Sequence, residues 1–160
     1  MKSVHERFLD HLASRGWVVS RVNAEAGACA GLPATTPEHA AFLSLFAQLS
    51  SADDTRWFLG AADYAGSVDS AFAWDAFQQL SLDAAMSDED RRGVQAFWDR
   101  HLPIFMSVDG EYAFLALDRE SGRVVHGIEP EFEAVSVVAP SLEDLFEDVM
   151  AGGPAAAFVV

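Results

Sequence analysis

Strand patterns separated by short turns occupy residues 103–139 and constrain the fold more than any other feature. Apolar and β-branched residues fill four short segments, and Asp109-Gly110 lies between the first two as a hairpin signal. A longer turn with Gly122 near its end separates the second segment from the third. Strands connected so closely pair antiparallel. The predicted strands are 104–108, 112–117, 123–128 and 134–139.

Helical patterns dominate the first two thirds of the chain. Ser3 and Thr36-Pro37 are favourable helix starts, and Ser87 and Ser141 each precede acidic residues in the manner of a capping box. Apolar residues then recur at helical spacing. The predicted helices are one between Ser3 and Gly16, one at 36–50, one at 71–80, one that begins at Ser87 and contains Trp98, and one that runs from Ser141 to Gly152.

Shorter segments complete the predicted organisation. Residues 17–22 and 56–59 are predicted strands, whereas the small and polar residues of 23–33 and 60–70 indicate loops. The apolar segment 155–160 is predicted to dock as an edge strand. We therefore expect a single α+β domain over 1–160, with helices packed on a mainly antiparallel sheet of about four to six strands.

The charge of the chain excludes several kinds of partner. The formal net charge is -15, and no lysine or arginine follows Arg123. Residues 1–22 hold four basic and two acidic residues, so the acidic excess lies beyond residue 22. Nucleic-acid binding needs a basic surface, and anionic membranes repel acidic proteins. The sequence thus predicts no nucleic-acid or membrane partner, and leaves open a solvated acidic surface or an acidic face for a basic partner.

Motifs for catalysis and cofactor binding are missing from the sequence. It has no phosphate-binding glycine motif, Lys2 is its one lysine, and its five histidines form no H-x-x-x-H pair. Cys29 has no cysteine partner and reads as an inert small residue. We expect no cofactor, no metal and no enzyme activity, although 25 acidic residues leave a hydrolase with an unrecognised carboxylate pair as an alternative. One cysteine, a charged N-terminal segment and short apolar runs favour the cytoplasm.

Aromatic residues are the remaining feature with functional content. Most of them are expected in the core, but tryptophan and tyrosine also anchor protein interfaces. Asp63-Tyr64 and Trp74-Asp75 would form an aromatic spot in an acidic field if both pairs are exposed.

The order of segments from residue 32 to about residue 150 resembles the SUKH superfamily, which contains bacterial immunity proteins and a fungal regulator of cell-wall synthesis. The matching pieces are mostly core and turn residues. They are Leu32-Pro33 before the helix with Phe42 and Phe46, Trp57-Phe58-Leu59, Asp63-Tyr64, Phe72-Ala73-Trp74-Asp75-Ala76-Phe77, Leu80-Ser81-Leu82, Trp98, Leu102-Pro103-Ile104-Phe105, Asp109-Gly110-Glu111-Tyr112, Leu117-Asp118 and Val138-Ala139-Pro140-Ser141-Leu142.

This resemblance implies an α+β domain without a catalytic site, in which the sheet and the adjoining loops form a partner-binding surface. It implies an immunity protein that binds and neutralises a polymorphic toxin, and the acidic charge fits a basic toxin domain. A regulatory scaffold of the same fold, which binds another protein without inhibiting it, is the alternative. The candidate partner-binding residues are Asp63, Tyr64, Trp74, Asp75, Asp109 and Glu111.

Overall fold

The computed structural model describes residues 1–22, 33–66 and 72–160, and in these residues an antiparallel sheet carries helices on both faces. The α+β class is confirmed, but the sheet has seven strands where four to six were expected. The predicted loop at 23–33 and Cys29 lie almost wholly outside the described residues. The strands are β1 Val18–Arg21, β2 Phe46–Ser50, β3 Arg56–Phe58, β4 His101–Ser107, β5 Ala113–Asp118, β6 Val124–Ile128 and β7 Ser136–Ala139.

The spatial order of the strands is their order along the chain, from β1 to β7, and every neighbouring pair is antiparallel. Tight turns join β4 to β5 and β5 to β6, as the sequence predicts, whereas helical segments join β1 to β2 and β3 to β4. The helices are α1 Val4–Ser14, α2 Pro37–Leu43, α3 Ala61–Tyr64, α4 Ala76–Ala84, α5 Asp88–Arg100, α6 Leu142–Met150 and α7 Ala156–Val159.

One face of the sheet packs against α1, α2 and α6. Phe105 of β4 lies 5.0 Å from Phe58 of β3, measured between ring centroids. The ring of Phe58 in turn contacts Phe8 of α1 and Phe146 of α6, which are stacked 4.1 Å apart. Successive side chains of a strand point to opposite faces, so this aromatic cluster belongs to a single layer of the core.

The opposite face packs against α4 and α5. Phe114 of β5 lies 4.9 Å from the ring of Trp98 in α5 and also contacts Phe77 of α4. A Cβ atom added to Gly127, which is opposite Phe114 in the register, would lie only 2.4 Å from the Phe114 ring. Glycine at this position therefore lets an aromatic ring lie directly on the sheet.

The predicted helix 36–50 is wrong beyond Leu43. Helix α2 ends there, and the residues from Phe46 to Ser50 form β2 instead. Their apolar spacing fits a helix, but Leu49 pairs with Val19 on one side and with Phe58 on the other. Ladder hydrogen bonds to two neighbouring strands override the local helical pattern.

Four other segments also differ from the prediction. The helix expected at 71–80 begins at Ala76 and reaches Ala84, and a short helix, α3, lies within the predicted loop 60–70. The segment 155–160 contains α7 rather than an edge strand, because Asp148 accepts a hydrogen bond from the backbone N–H of Ala155 and Phe158 stacks on His126. Strand β4 begins before Pro103, which is tolerated because the register shifts there.

Candidate functional site

The predicted aromatic spot exists as a contact but not as an exposed surface. The rings of Tyr64 and Trp74 lie 5.7 Å apart in an edge-to-face arrangement, so the two predicted pairs do come together. Tyr64, however, is only 7% exposed, and its hydroxyl donates a hydrogen bond to the carbonyl of Pro103. Trp74 is partly buried against it. The expectation of exposed aromatic anchors is therefore wrong, and Tyr64 belongs to the core.

The carboxylates beside these aromatic residues have local structural partners. The backbone N–H of Gly60 donates to Asp63 Oδ2 at 2.7 Å, which holds the first turn of α3. Burial raises the pKa of Asp63, and that hydrogen bond partly offsets the rise. Asp75 is the N-cap residue of α4 and accepts a 3.4 Å hydrogen bond from Gln79. Asp63 is therefore held within the fold, whereas Asp75 has one long hydrogen bond and no ion pair among the described residues.

The remaining predicted residues lie at the other end of β4. Asp109 and Glu111 are exposed in the β4–β5 turn, and Asp109 pairs with Arg56 at 2.7 Å. Tyr64 bonds Pro103 near the start of β4, whereas Asp109 follows the end of that strand. Six residues of strand correspond to about 20 Å. The six predicted residues therefore do not form one site.

A groove that sequence reasoning missed lies between the α4–α5 helical hairpin and the loop from β6 to β7. Its volume is about 640 Å³, within the range of protein binding pockets. Its apolar lining comes from both helices and from the loop, and carboxylates accompany it on the same walls. The lining residues are Leu80, Ser81, Ala84, Ala85, Glu89, Asp90, Gly93, Val94, Pro130, Phe132 and Glu133.

Glu133 is the most firmly held carboxylate of the groove. Its Oε2 atom accepts a 3.0 Å hydrogen bond from the indole Nε1–H of Trp98 and a 2.7 Å hydrogen bond from the hydroxyl of Ser81. Trp98 is itself buried between α5 and the sheet. Two donors from two different helices thus fix this side chain, while no hydrogen bond to its Oε1 atom is found within the described residues.

The groove combines negative charge with exposed apolar surface. Its lining includes Glu89, Asp90 and Glu133 but no lysine or arginine, and no described residue forms an ion pair with any of the three. Leu80, which lines the groove, is 43% exposed, and Met86, in the turn between α4 and α5, is 94% exposed. The groove and the turn beside it thus present apolar side chains together with carboxylates to the solvent.

The glutamates at positions 129, 131 and 133 connect the groove with Glu111, one of the predicted residues. The backbone N–H of Tyr112, which follows Glu111, donates to Glu129 at 3.0 Å. Glu131 and Glu133 continue this series into the groove wall. The signal in the sequence is the absence of basic residues after Arg123, whereas the acidic residues from Asp88 to Asp90 indicate only the start of a helix.

Other polar groups that depart from their ordinary behaviour serve the fold. Burial lowers the pKa of His39 to about 4, and the neighbouring His5 adds to this effect. Hydrogen bonds from Arg100 hold the pKa of Asp118 well below its usual range, and both carboxylate oxygens take part. Among residues 1–22, 33–66 and 72–160, no group of three or more His, Cys, Asp or Glu side chains could hold a metal ion.

Comparison with known proteins assigns this chain to no family. No protein-family model, no curated protein and no solved structure matches this chain. In the part of the chain that the structure describes, no helix has the length and apolar character that a membrane span requires. The resemblance to the SUKH superfamily stays a prediction from the sequence.

Proposed function

We propose that this chain is a protein-binding module that uses the acidic groove to hold a basic partner, and that the partner is a toxin domain which the chain neutralises. The observation that carries the proposal is the groove itself, with its exposed Leu80 and with carboxylates that form no ion pair with any described residue. The resemblance to immunity proteins supplies the class of partner. A domain that binds nucleic acid needs a basic surface, which an acidic groove complements.

Charge complementarity fits the distribution of ion pairs. Asp10, Asp109, Asp118 and Glu147 each have a basic partner within the chain, so their charges are already balanced. The groove carboxylates have none among the described residues, so a cation from a partner can pair with them. Such pairs accelerate association and make it sensitive to salt.

The test uses the full chain and the product of the adjacent gene. Copurification, binding measured at increasing salt, and growth rescue of cells that express the neighbouring protein give three separate readouts. We expect a complex whose association slows as salt rises, and survival of cells only when the chain is present. If the neighbouring protein is not toxic and no basic partner binds in a salt-dependent way, the proposal fails. A regulatory scaffold would bind without rescuing growth.

A hydrolase is the second candidate, because Glu89, Asp90 and Glu133 line one groove. Glycoside hydrolysis needs two carboxylates on opposite sides of the scissile bond. Glu133→Gln would abolish such an activity, since the amide cannot transfer the proton. Chromogenic glycosides and esters provide the assay. If the parent chain shows no turnover, this candidate fails. It also fails if Glu133→Gln turns over the substrate as fast as the parent chain.

A further inference from the structure

We propose that the groove is an arginine-anchoring site, in which a guanidinium from an amphipathic helix of the partner bonds Glu133 while its stem lies on the apolar wall. This inference rests on the proposed function and names the chemistry of the partner segment. It differs from a general acidic surface because it assigns one carboxylate, one wall and one kind of side chain.

Glu133 has the geometry of a prepared acceptor. Trp98 and Ser81 fix its Oε2 atom, so little side-chain freedom is lost when a ligand bonds the other oxygen. Trp98, which donates to Glu133, is buried, and so is Phe132, the chain neighbour of Glu133. A hydrogen bond between a guanidinium and a carboxylate is charge-assisted, and it is stronger than one between neutral groups.

The rest of the lining suits the stem of an arginine and the apolar residues beside it. Leu80, Val94 and Phe132 supply the apolar contacts, and the methylene groups of a long basic side chain pack on such surfaces. Glu89 and Asp90, at the start of α5, add negative charge to the groove. The basic residues Arg91 and Arg92 also belong to α5, but they do not line the groove.

The lining also indicates the shape of the bound segment. It comes from α4, α5 and the loop between β6 and β7, and it includes no residue of any strand. An extended peptide that adds to a sheet needs the backbone of an edge strand, so that mode does not apply here. A helix instead presents side chains at positions i, i+3 and i+4 to a groove, which allows an arginine and two apolar residues to enter together.

Arginine should bind better than lysine. The guanidinium has five donors in a planar fork, whereas the lysine ammonium is a compact and strongly hydrated charge. A planar fork that bonds one carboxylate still has donors left for other acceptors of the groove. Side chains of this kind are frequent energetic anchors in protein interfaces.

The indole N–H of Trp98 provides a direct readout. We would titrate the full-length chain with a capped, helical leucine–arginine peptide and with its leucine–lysine twin, and follow the four indole N–H signals by ¹H–¹⁵N NMR. We expect the Trp98 signal to move on saturation, because its hydrogen-bond acceptor is the binding group. The arginine peptide should bind about tenfold more tightly than the lysine twin.

Matched variants separate the groove from general charge. Glu133→Gln keeps an acceptor oxygen for Trp98 and should weaken the arginine peptide by about tenfold or more. Glu131→Gln removes the same charge two residues away, outside the lining, and should have little effect. A second pair of variants repeats this comparison in the first turn of α5: Glu89→Gln removes a charge from the lining, and Asp88→Asn removes one outside it. Leu80→Ala tests the apolar wall with a side chain that is not buried.

The outcomes distinguish this inference from the proposed function. Equal affinity for the two peptides, or an effect of Glu131→Gln as large as that of Glu133→Gln, overturns the arginine anchor even if the chain still rescues growth. A preference for the arginine peptide that depends on Glu133 supports the arginine anchor even if no toxin is neutralised. In that case the proposed function fails and the arginine anchor stands. If Glu133→Gln lowers the melting temperature strongly, the peptide comparison and Leu80→Ala decide the question.

Discussion

Protonation of His39 should make this fold less stable as the pH falls from about 6.5 towards 4. The imidazole is 1% exposed, its Nδ1 lies 2.7 Å from Thr35 Oγ1, and the ring of Tyr64 stands edge-on at 6.1 Å. Burial lowers the pKa of His39 from 6.5 to about 4, and the adjacent His5 contributes in the same direction. The folded state therefore resists taking up a proton that the unfolded chain accepts readily.

The sign and size follow from proton linkage. A lowered histidine pKa stabilises the fold above pH 6.5, and this stability is lost as the pH falls, because the unfolded state binds more protons. Between pH 7.5 and 4.5, pKa values of 6.5 and about 4 for His39 give a loss of about 2.5 kcal/mol in the free energy of unfolding. His5 and His126, whose pKa values are also lowered by burial, act in the same sense, whereas the raised pKa of Asp63 acts in the opposite sense.

Urea unfolding followed by tryptophan fluorescence at a series of pH values measures this loss. His39→Gln should flatten the pH dependence by about 2.5 kcal/mol over that interval. Phe105→Leu lowers stability by reducing the core where its ring packs on Phe58 and Trp17, so its curve should run parallel to that of the parent chain. Parallel curves for His39→Gln and the parent would refute the argument from burial.

Two further substitutions test the packing on the sheet. Gly127→Ala should cost about 1–3 kcal/mol in urea unfolding, because the new Cβ would lie 2.4 Å from the Phe114 ring, and Phe114→Leu should recover part of that loss. An unchanged midpoint would contradict the placement of the ring. Tyr64→Phe removes the buried hydrogen bond to the Pro103 carbonyl and should cost about 1–2 kcal/mol by the same assay. Full stability of that variant would show that the hydroxyl has no structural role.

The fold was predictable where local signals agreed with the tertiary structure. The Asp109-Gly110 turn, for example, lies between two strands as expected, with Gly110 at a positive φ of 83°. The segment 46–50 was not predictable in this way, since Phe46 and Leu49 continue the apolar face of α2 at helical spacing. Its assignment depends on pairing with β1 on one side and β3 on the other, which the spacing of its own apolar residues does not encode.

The candidate site was predictable only in its charge. The sequence indicates an acidic surface, but aromatic residues were expected to be its anchors, and every Phe, Tyr and Trp side chain is buried or partly buried. The groove depends on the angle between a helical hairpin and a loop about 40 residues away, which no local pattern encodes. Glu133 becomes distinctive only once Trp98 and Ser81 are seen to bond it.

The strand order has a consequence for how the chain folds. Because each strand pairs with its neighbours along the chain, β4, β5 and β6 can assemble by closing short turns, at a small cost in chain entropy. The packing of α1 on α6 is different, since the ion pair between Arg7 and Glu147 joins residues 140 positions apart. The aromatic layer under these two helices closes only when both ends of the chain have docked. A defect in α1 would therefore leave Phe146 and its neighbours exposed on an otherwise formed sheet, and the protein would aggregate through that face.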